Sequence, residues 1–186
     1  LDGLETRLRT KSGAERIVVS GTSPLQLGER AYAVTTLQDI TDRKQAMEEI
    51  LAMRATMEAA LASMTDAVFI SDTEGRFLHF NEAFATFHRF NNKAECATTL
   101  AQYPAFLDVF FPNGELAPLE QWAVPRALRG ETVANAEYTL RRKDTGETWV
   151  GSYHFAPIRN AEGRIVGSVV VGRDVTELKH LERERE

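Results

Sequence analysis

The feature that most constrains this chain is an internal repeat, in which the segment near residues 4–44 recurs, loosely, near residues 136–179, about 130 to 135 residues later. Leu8-Arg9-Thr10-Lys11-Ser12-Gly13 parallels Leu140-Arg141-Arg142-Lys143-Asp144-Thr145-Gly146, Pro24 parallels Pro157, and Leu37-Gln38-Asp39-Ile40-Thr41 parallels Gly172-Arg173-Asp174-Val175-Thr176. Each copy reads as three strands with turn chemistry between them: Lys-Ser-Gly or Asp-Thr-Gly at the first hairpin, then Leu27-Gly28-Glu29 or Asn160-Ala161-Glu162-Gly163 at the second. Each copy then runs into a helix. With 186 residues, 43% of them hydrophobic, the chain can bury one ordinary core or two small ones, and no more.

Only the second copy has a further stretch of about 70 residues in front of it, so the first reads as half a domain. Ala67–Ser71 and Arg76–Phe80 are short β-prone runs joined by Asp72-Thr73-Glu74-Gly75, a hairpin connection with Gly where a positive φ is needed. Asn81 is placed to cap a short helix over Glu82–Phe90 that puts Phe84, Phe87 and His88 on one face. Residues 93–130 read as irregular structure and short helices punctuated by Pro104, Pro112, Pro118 and Pro125, with Leu119–Arg129 the best helix among them.

Between the copies, Ile40, Arg43, Met47, Ile50, Arg54, Met57, Leu61 and Met64 follow alternating spacings of three and four. A helix over Thr41–Met64 would be about 36 Å long. Its spacing predicts a coiled-coil seam; the alternative is an amphipathic helix packed on the chain's own sheet. Two arginines in the seam weaken any one packing and keep another within a few kcal/mol.

Several function classes are disfavoured by the same residues. The net charge is −5 and the 22 basic residues form no contiguous patch, which argues against nucleic acid as the main partner. The longest apolar runs fall well short of the roughly 20 residues of a membrane span, and Leu1-Asp2-Gly3-Leu4-Glu5 has neither the basic start nor the apolar run of a signal peptide. One cysteine, Cys96, suits a reducing, cytoplasmic compartment, and no Cys/His cluster or carboxylate group has metal-ligand spacing. There is no phosphate loop, nucleophile elbow or paired catalytic carboxylates, so an enzyme is not expected. His180, in Leu178-Lys179-His180-Leu181, reads as part of a solvated exit helix, and Glu182–Glu186 as a mixed-charge tail.

These pieces, in this order, resemble the PAS (Per-Arnt-Sim) sensor domains of bacteria, arranged in tandem around a signalling helix. The residues that carry the resemblance are Asp72–Arg76 followed by Asn81-Glu82-Ala83-Phe84, the hairpin Arg142–Trp149, Pro157–Gly167, and the closing Asp174-Val175-Thr176 with its earlier counterpart Asp39-Ile40-Thr41. The resemblance implies an α+β fold: a five-stranded antiparallel sheet in the order 2-1-5-4-3, short helices on one face, and a small-molecule pocket between them. It divides the chain into the second half of a first PAS domain (1–39), a linker helix (40–65), a complete PAS domain (66–174) and the start of an exit helix (175–186). The uncovered apolar face of the half-domain, with Ile17, Val19, Tyr32 and Val34 as candidates, is expected to pack on another chain's copy or on the linker helix, or to be partly disordered.

Strict alternation puts Trp149, Gly151, Tyr153 and Phe155 on the buried face of their strand. With the resemblance, this nominates Tyr138, Leu140, Tyr153, Phe155, Ser168 and Val170 for the sheet wall of a pocket, and Phe87, His88, Phe106 and Trp122 for the opposite wall. A solid aromatic core is the alternative for each of them; the small residues Gly151, Ser168 and Gly172 favour a cavity. Flavin is disfavoured, because Cys96 lies in Ala94-Glu95-Cys96-Ala97 rather than in the Asn-Cys-Arg context of light-sensing relatives, and haem is disfavoured because His88 alone stands on a suitable helix. Asp39, Thr41, Asp174 and Thr176 are the candidate signal couplers, each Thr expected to accept a first-turn N–H and each Asp to favour the helix dipole. The expected function is a sensor module. It binds a small molecule or relays a partner's state through a dimeric helix (Met47, Ile50, Arg54, Met57, Leu61, Met64) to a histidine kinase or cyclic-dinucleotide enzyme. A ligand-free dimerisation or spacer module is the alternative.

Overall fold

A computed structural model describes residues 3–185; Leu1, Asp2 and Glu186, at the ends of the first and last segments read from sequence, lie outside them. The chain divides into two compact units, Leu1–Glu58 and Ala59–Glu186.

In the first unit the turn residues act as expected. Gly13 (φ +90°) and Gly28 (φ +59°) supply the left-handed positions that close β1 (Leu4–Arg9), β2 (Glu15–Leu27) and β3 (Arg30–Asp39) into an antiparallel sheet in the order β1-β2-β3. Helix α1 (Thr41–Ser63) follows directly. Its first turns shelter part of the sheet: Val19 and Gln38 share a shallow groove with Ile40, Met47 and Ile50, and Lys44 pairs with Glu5 at 2.9 Å. Of the covers expected for Ile17, Val19, Tyr32 and Val34, α1 therefore serves Val19; Ile17 is half-buried as well, while Tyr32 and Val34 stay exposed. Val18 and Thr41 are the only buried residues described in this unit.

The second unit opens with the hairpin β4 (Ala67–Ser71) and β5 (Phe77–Phe80), then α2 (Glu82–Phe87), β6 (Leu107–Phe110), α3 (Ala123–Leu128), β7 (Val133–Arg142), β8 (Thr148–Arg159), β9 (Ile165–Asp174) and α4 (Thr176–Arg183). The strands form one antiparallel sheet in the order β5-β4-β9-β8-β7-β6. Its first five members reproduce the expected 2-1-5-4-3. The sixth, β6, comes from the segment read as irregular, and pairs Leu107 with Arg142 and Phe110 with Thr139.

Two helices differ from the sequence reading. α2 ends at Phe87 instead of Phe90, because Arg89 takes a left-handed φ of +63° that stops the helix. The span Leu119–Arg129 splits into a 3₁₀ turn (Leu119–Gln121) and α3, since Trp122 between them is extended (φ −75°, ψ 165°). Both helices lie on one face of the sheet. There Phe69, Phe84, Phe87, Val124, Tyr138, Leu140, Trp149, Tyr153, Phe155 and Val170 form a single buried cluster.

Candidate functional site

The helix wall of the site is fixed by one buried amide. Asn81 Oδ1 accepts the N–H of Phe84 (3.1 Å), capping α2, and that of Val68 on β4 (3.0 Å), while its Nδ2 donates to the carbonyls of Leu61 and Asp66. The cap directs Phe84, Phe87 and His88 onto the sheet, where all three are buried. His88 Nδ1 lies 3.0 Å from the Phe84 carbonyl; a carbonyl only accepts, so Nδ1 carries a proton. Burial pushes the His88 pKa down to about 4, against the opposing effect of that hydrogen bond.

Phe84 is the hub of a ring mesh, edge-to-face with Phe69, Phe77 and Tyr103 at centroid distances of 4.9, 5.6 and 5.9 Å and tilted against His88 at 4.3 Å. Three of the polar tips near it find partners. Tyr103 donates to the Ala97 carbonyl, Trp122 Nε1 to the Ala117 carbonyl, and Tyr138 donates to the Gln121 carbonyl at 2.7 Å while accepting from Arg126. The void these side chains enclose is about 40 Å³.

Five of the residues expected at the pocket line that void: His88, Trp122, Tyr138, Leu140 and Tyr153. Phe87, Phe155 and Val170 are buried beside it without lining it. Ser168 spends its hydroxyl on Ser71, at 2.7 Å across the β4–β9 pair, and Phe106 is half-buried against Phe90. The lining missed from sequence includes Phe69, Phe77, Phe84, Leu100, Tyr103 and Val109. No clear alternation marks Phe69, Phe77 or Val109: Ala67-Val68-Phe69-Ile70 is apolar throughout, and β5 and β6 have only four residues each. Gly151 and Gly172 are not floor for an empty space: a Cβ built on them would meet the Phe87 ring at 2.8 and 3.3 Å, so their smallness seats that ring.

The exit from the sheet is built alike in both units. Asp174 Oδ1 accepts the Thr176 N–H (3.0 Å) and hydroxyl (2.5 Å), and Thr176 Oγ1 in turn accepts the N–H of Val150 on β8 (2.9 Å). Asp39, Thr41 and Ile17 repeat the arrangement at 2.9, 2.6 and 2.8 Å. The expected role of the Thr is thereby corrected. Its hydroxyl does not take a first-turn N–H but an amide of the neighbouring strand, and the Asp carboxylate caps the turn. Each helix start is stitched to the sheet it leaves. Burial alone would raise the Asp174 carboxyl, yet hydrogen bonds from Thr176 and Arg89 hold it below the usual carboxylate range. Arg89 reaches Asp174 Oδ2 at 2.7 Å and Glu147 at 2.6 Å, with its guanidinium 4.5 Å from the centre of the Trp149 ring.

On α1, the seam residues Met47, Ile50 and Met57 are exposed, as is Met64 just beyond it, and Leu61 is half-buried. Arg54 pairs along the helix with Glu58 at 2.8 Å. Leu51 and Met53 are also exposed, off the seam.

Among the described residues no cluster of three or more His, Cys, Asp or Glu is placed to hold a metal ion, and no helix is long and apolar enough to cross a membrane. The family model described as PAS fold matches residues 61–180. The alginate biosynthesis sensor protein KinB of Pseudomonas aeruginosa is 31% identical over 143 residues, which are 77% of this chain and 22% of that protein, so the chain spans about a fifth of this curated relative's length. Among solved structures, the PAS domain of a protein from Colwellia psychrerythraea aligns with TM-score 0.46 and 20% identity over 69% of this chain and 98% of its own. The PAS domain of nitrogen regulation protein NR(II) from Vibrio parahaemolyticus aligns with TM-score 0.44 and 18% identity over 63% and 95%.

Proposed function

Because this chain belongs to the PAS fold family, and so is a signalling sensor module rather than a catalytic one, we propose that it takes its input at the aromatic cavity and delivers its output through the helix that leaves the Asp-x-Thr junction. The observation that carries this reading is the junction itself. One carboxylate and one hydroxyl join the end of β9, the start of α4 and the backbone of β8, so a change in sheet packing is transmitted to the first turn of the exit helix. A sensor protein among the relatives supports a signalling effector in the longer protein, a histidine kinase or a cyclic-dinucleotide enzyme on this reading, placed in the cytoplasm.

The repeated junction also supports reading residues 1–39 as the second half of a preceding PAS domain. Pro24 and Pro157 stand seven residues beyond the amides that each Thr accepts, Ile17 and Val150, and Val18 pairs with Asp39 as Gly151 pairs with Asp174. On this reading 40–65 is the linker helix, 66–174 the complete domain and 175–186 the start of the exit helix. The exposed Met47, Ile50 and Met57 are the surface through which a second copy pairs.

The cavity sets the kind of input. A void of about 40 Å³ holds only a few atoms, so an organic ligand enters only if α2, α3 or the 3₁₀ turn at Leu100–Ala105 moves aside. This size also favours the second reading, a ligand-free dimerisation or relay module. Native mass spectrometry of the purified chain, followed by denaturation of the same sample, separates the two. A dimer with a reproducible extra mass is the sensor with a filled pocket; a bare dimer is the relay module; a bare monomer refutes pairing through α1.

A further inference from the structure

We propose that Arg89 is a positioning residue that couples the wall of the cavity to the exit helix, by sharing the Asp174 carboxylate with Thr176. The proposal rests on the reading that the Asp174-Val175-Thr176 junction is where the domain's state leaves it.

Arg89 follows immediately on His88, whose ring lines the cavity, and the backbone there leaves α2 at φ +63°. A non-glycine residue occupies that region at a cost, and does so where its surroundings fix it. The surroundings here are specific. The guanidinium lies over Trp149, its Nη1 donates to the carbonyls of Thr86 and Phe87 at the end of α2, its Nε to Glu147 beyond the β7–β8 turn, and its Nη2 to Asp174 Oδ2. Asp174 is divided between two clients: Oδ2 serves Arg89, and Oδ1 serves the Thr176 amide and hydroxyl. A shift of α2 that withdraws Arg89 therefore releases one half of the carboxylate whose other half caps α4.

The first unit provides an internal contrast. Asp39 is capped onto Thr41 in the same way, but its Oδ2 faces Arg16 of the adjacent strand β2 at 3.6 Å, not a residue that follows a helix. The same junction is held there by its own sheet. A neighbouring clamp on α2, Arg142 to the His88 carbonyl and Asp144, ends in the β7–β8 turn and does not reach the exit. Arg89 is the charged link from His88's end of α2 to β9, beside the apolar seating of Phe87 over Gly172.

Hydrogen exchange of the α4 amides in the full chain tests this, with urea unfolding run in parallel to follow global stability. Thr176→Val tests the junction reading by itself: α4 exchange should quicken, and no change would refute that reading whatever Arg89 does. Phe84→Leu disturbs the cavity wall from α2 and should alter α4 exchange in the parent. Arg89→Gln should quicken α4 exchange about three- to tenfold, the range of one or two partly exposed ion pairs, and should abolish the further effect of Phe84→Leu. A merely structural Arg89 would lower stability yet leave the effect of Phe84→Leu undiminished, and that additivity overturns the proposal. Should Arg89→Gln not fold, Arg89→Lys, which keeps the charge but reaches one carboxylate at a time, carries the comparison. The Phe84→Leu effect is then reduced if the coupling is real and full-sized if it is not.

Discussion

Gly151→Ala asks whether the two glycines under Phe87 are a seat for that ring. The added methyl would stand 2.8 Å from Phe87 Cζ, 2.8 Å from Tyr153 Cε2 and 3.0 Å from Leu140 Cδ1, each well inside ordinary contact distance, in a cluster where all three side chains are buried. Overpacking of this kind costs about 1 to 3 kcal/mol. Ala in a strand recovers about 0.5 to 1 kcal/mol of the entropy that Gly loses on folding, so the net loss should be about 0.5 to 2 kcal/mol. With a urea slope of about 2 kcal/mol per molar for a domain this size, the midpoint falls by about 0.25 to 1 M. Phe87→Leu alone leaves space and should cost less than the roughly 3 to 5 kcal/mol of a full truncation to Ala. Combined with Gly151→Ala, the methyl enters the space that the ring vacates. The double variant should then be no less stable than Phe87→Leu, a favourable coupling of about 1 kcal/mol between the sites. Additivity within about 0.5 kcal/mol would show that the methyl is accommodated elsewhere, and the seat assignment would be wrong.

Asn81→Ala removes the cap of α2 and leaves the Val68 N–H without its acceptor; a loss of about 2 to 4 kcal/mol is expected in chemical denaturation, and a loss below 1 kcal/mol would contradict the role given to this amide. Burial lowers the His88 pKa to about 4, from an unfolded value of about 6.5. Its stabilising contribution is therefore full above pH 6.5 and drains away as pH falls toward 4, by up to about 1.4 kcal/mol per unit; a stability profile over that window unaltered by His88→Gln would refute the assignment. Arg43→Leu with Arg54→Leu should raise the melting temperature and tighten self-association in analytical ultracentrifugation, and unchanged values for both would dismiss the seam on α1.

What was legible in the sequence is what is decided locally or by pattern. The paired turns, the Asn81 cap and the alternation on β8 need only neighbouring residues, and the repeat exposes the twin junctions. β6 escaped because Leu107-Asp108-Val109-Phe110 offers just four residues of alternation between Pro104 and Pro112, too few to register without the β7 partner that pairs with it. The loop wall of the cavity escaped for a related reason: nothing near Tyr103 in sequence says that it will meet Phe77 and Phe84. The glycines misled because a missing side chain reads the same whether it leaves room for a ligand or for a ring that lies several elements away in sequence. Arg89 is the extreme case. Its neighbours predict only that a helix continues, whereas the partners that turn it out of the helix, Glu147 and Asp174, lie 58 and 85 residues further on. Long-range pairing is also what a coupling residue must have, since it joins elements that local sequence cannot. The residue least readable from the sequence is for that reason the one to perturb first when asking how the cavity reaches the exit helix.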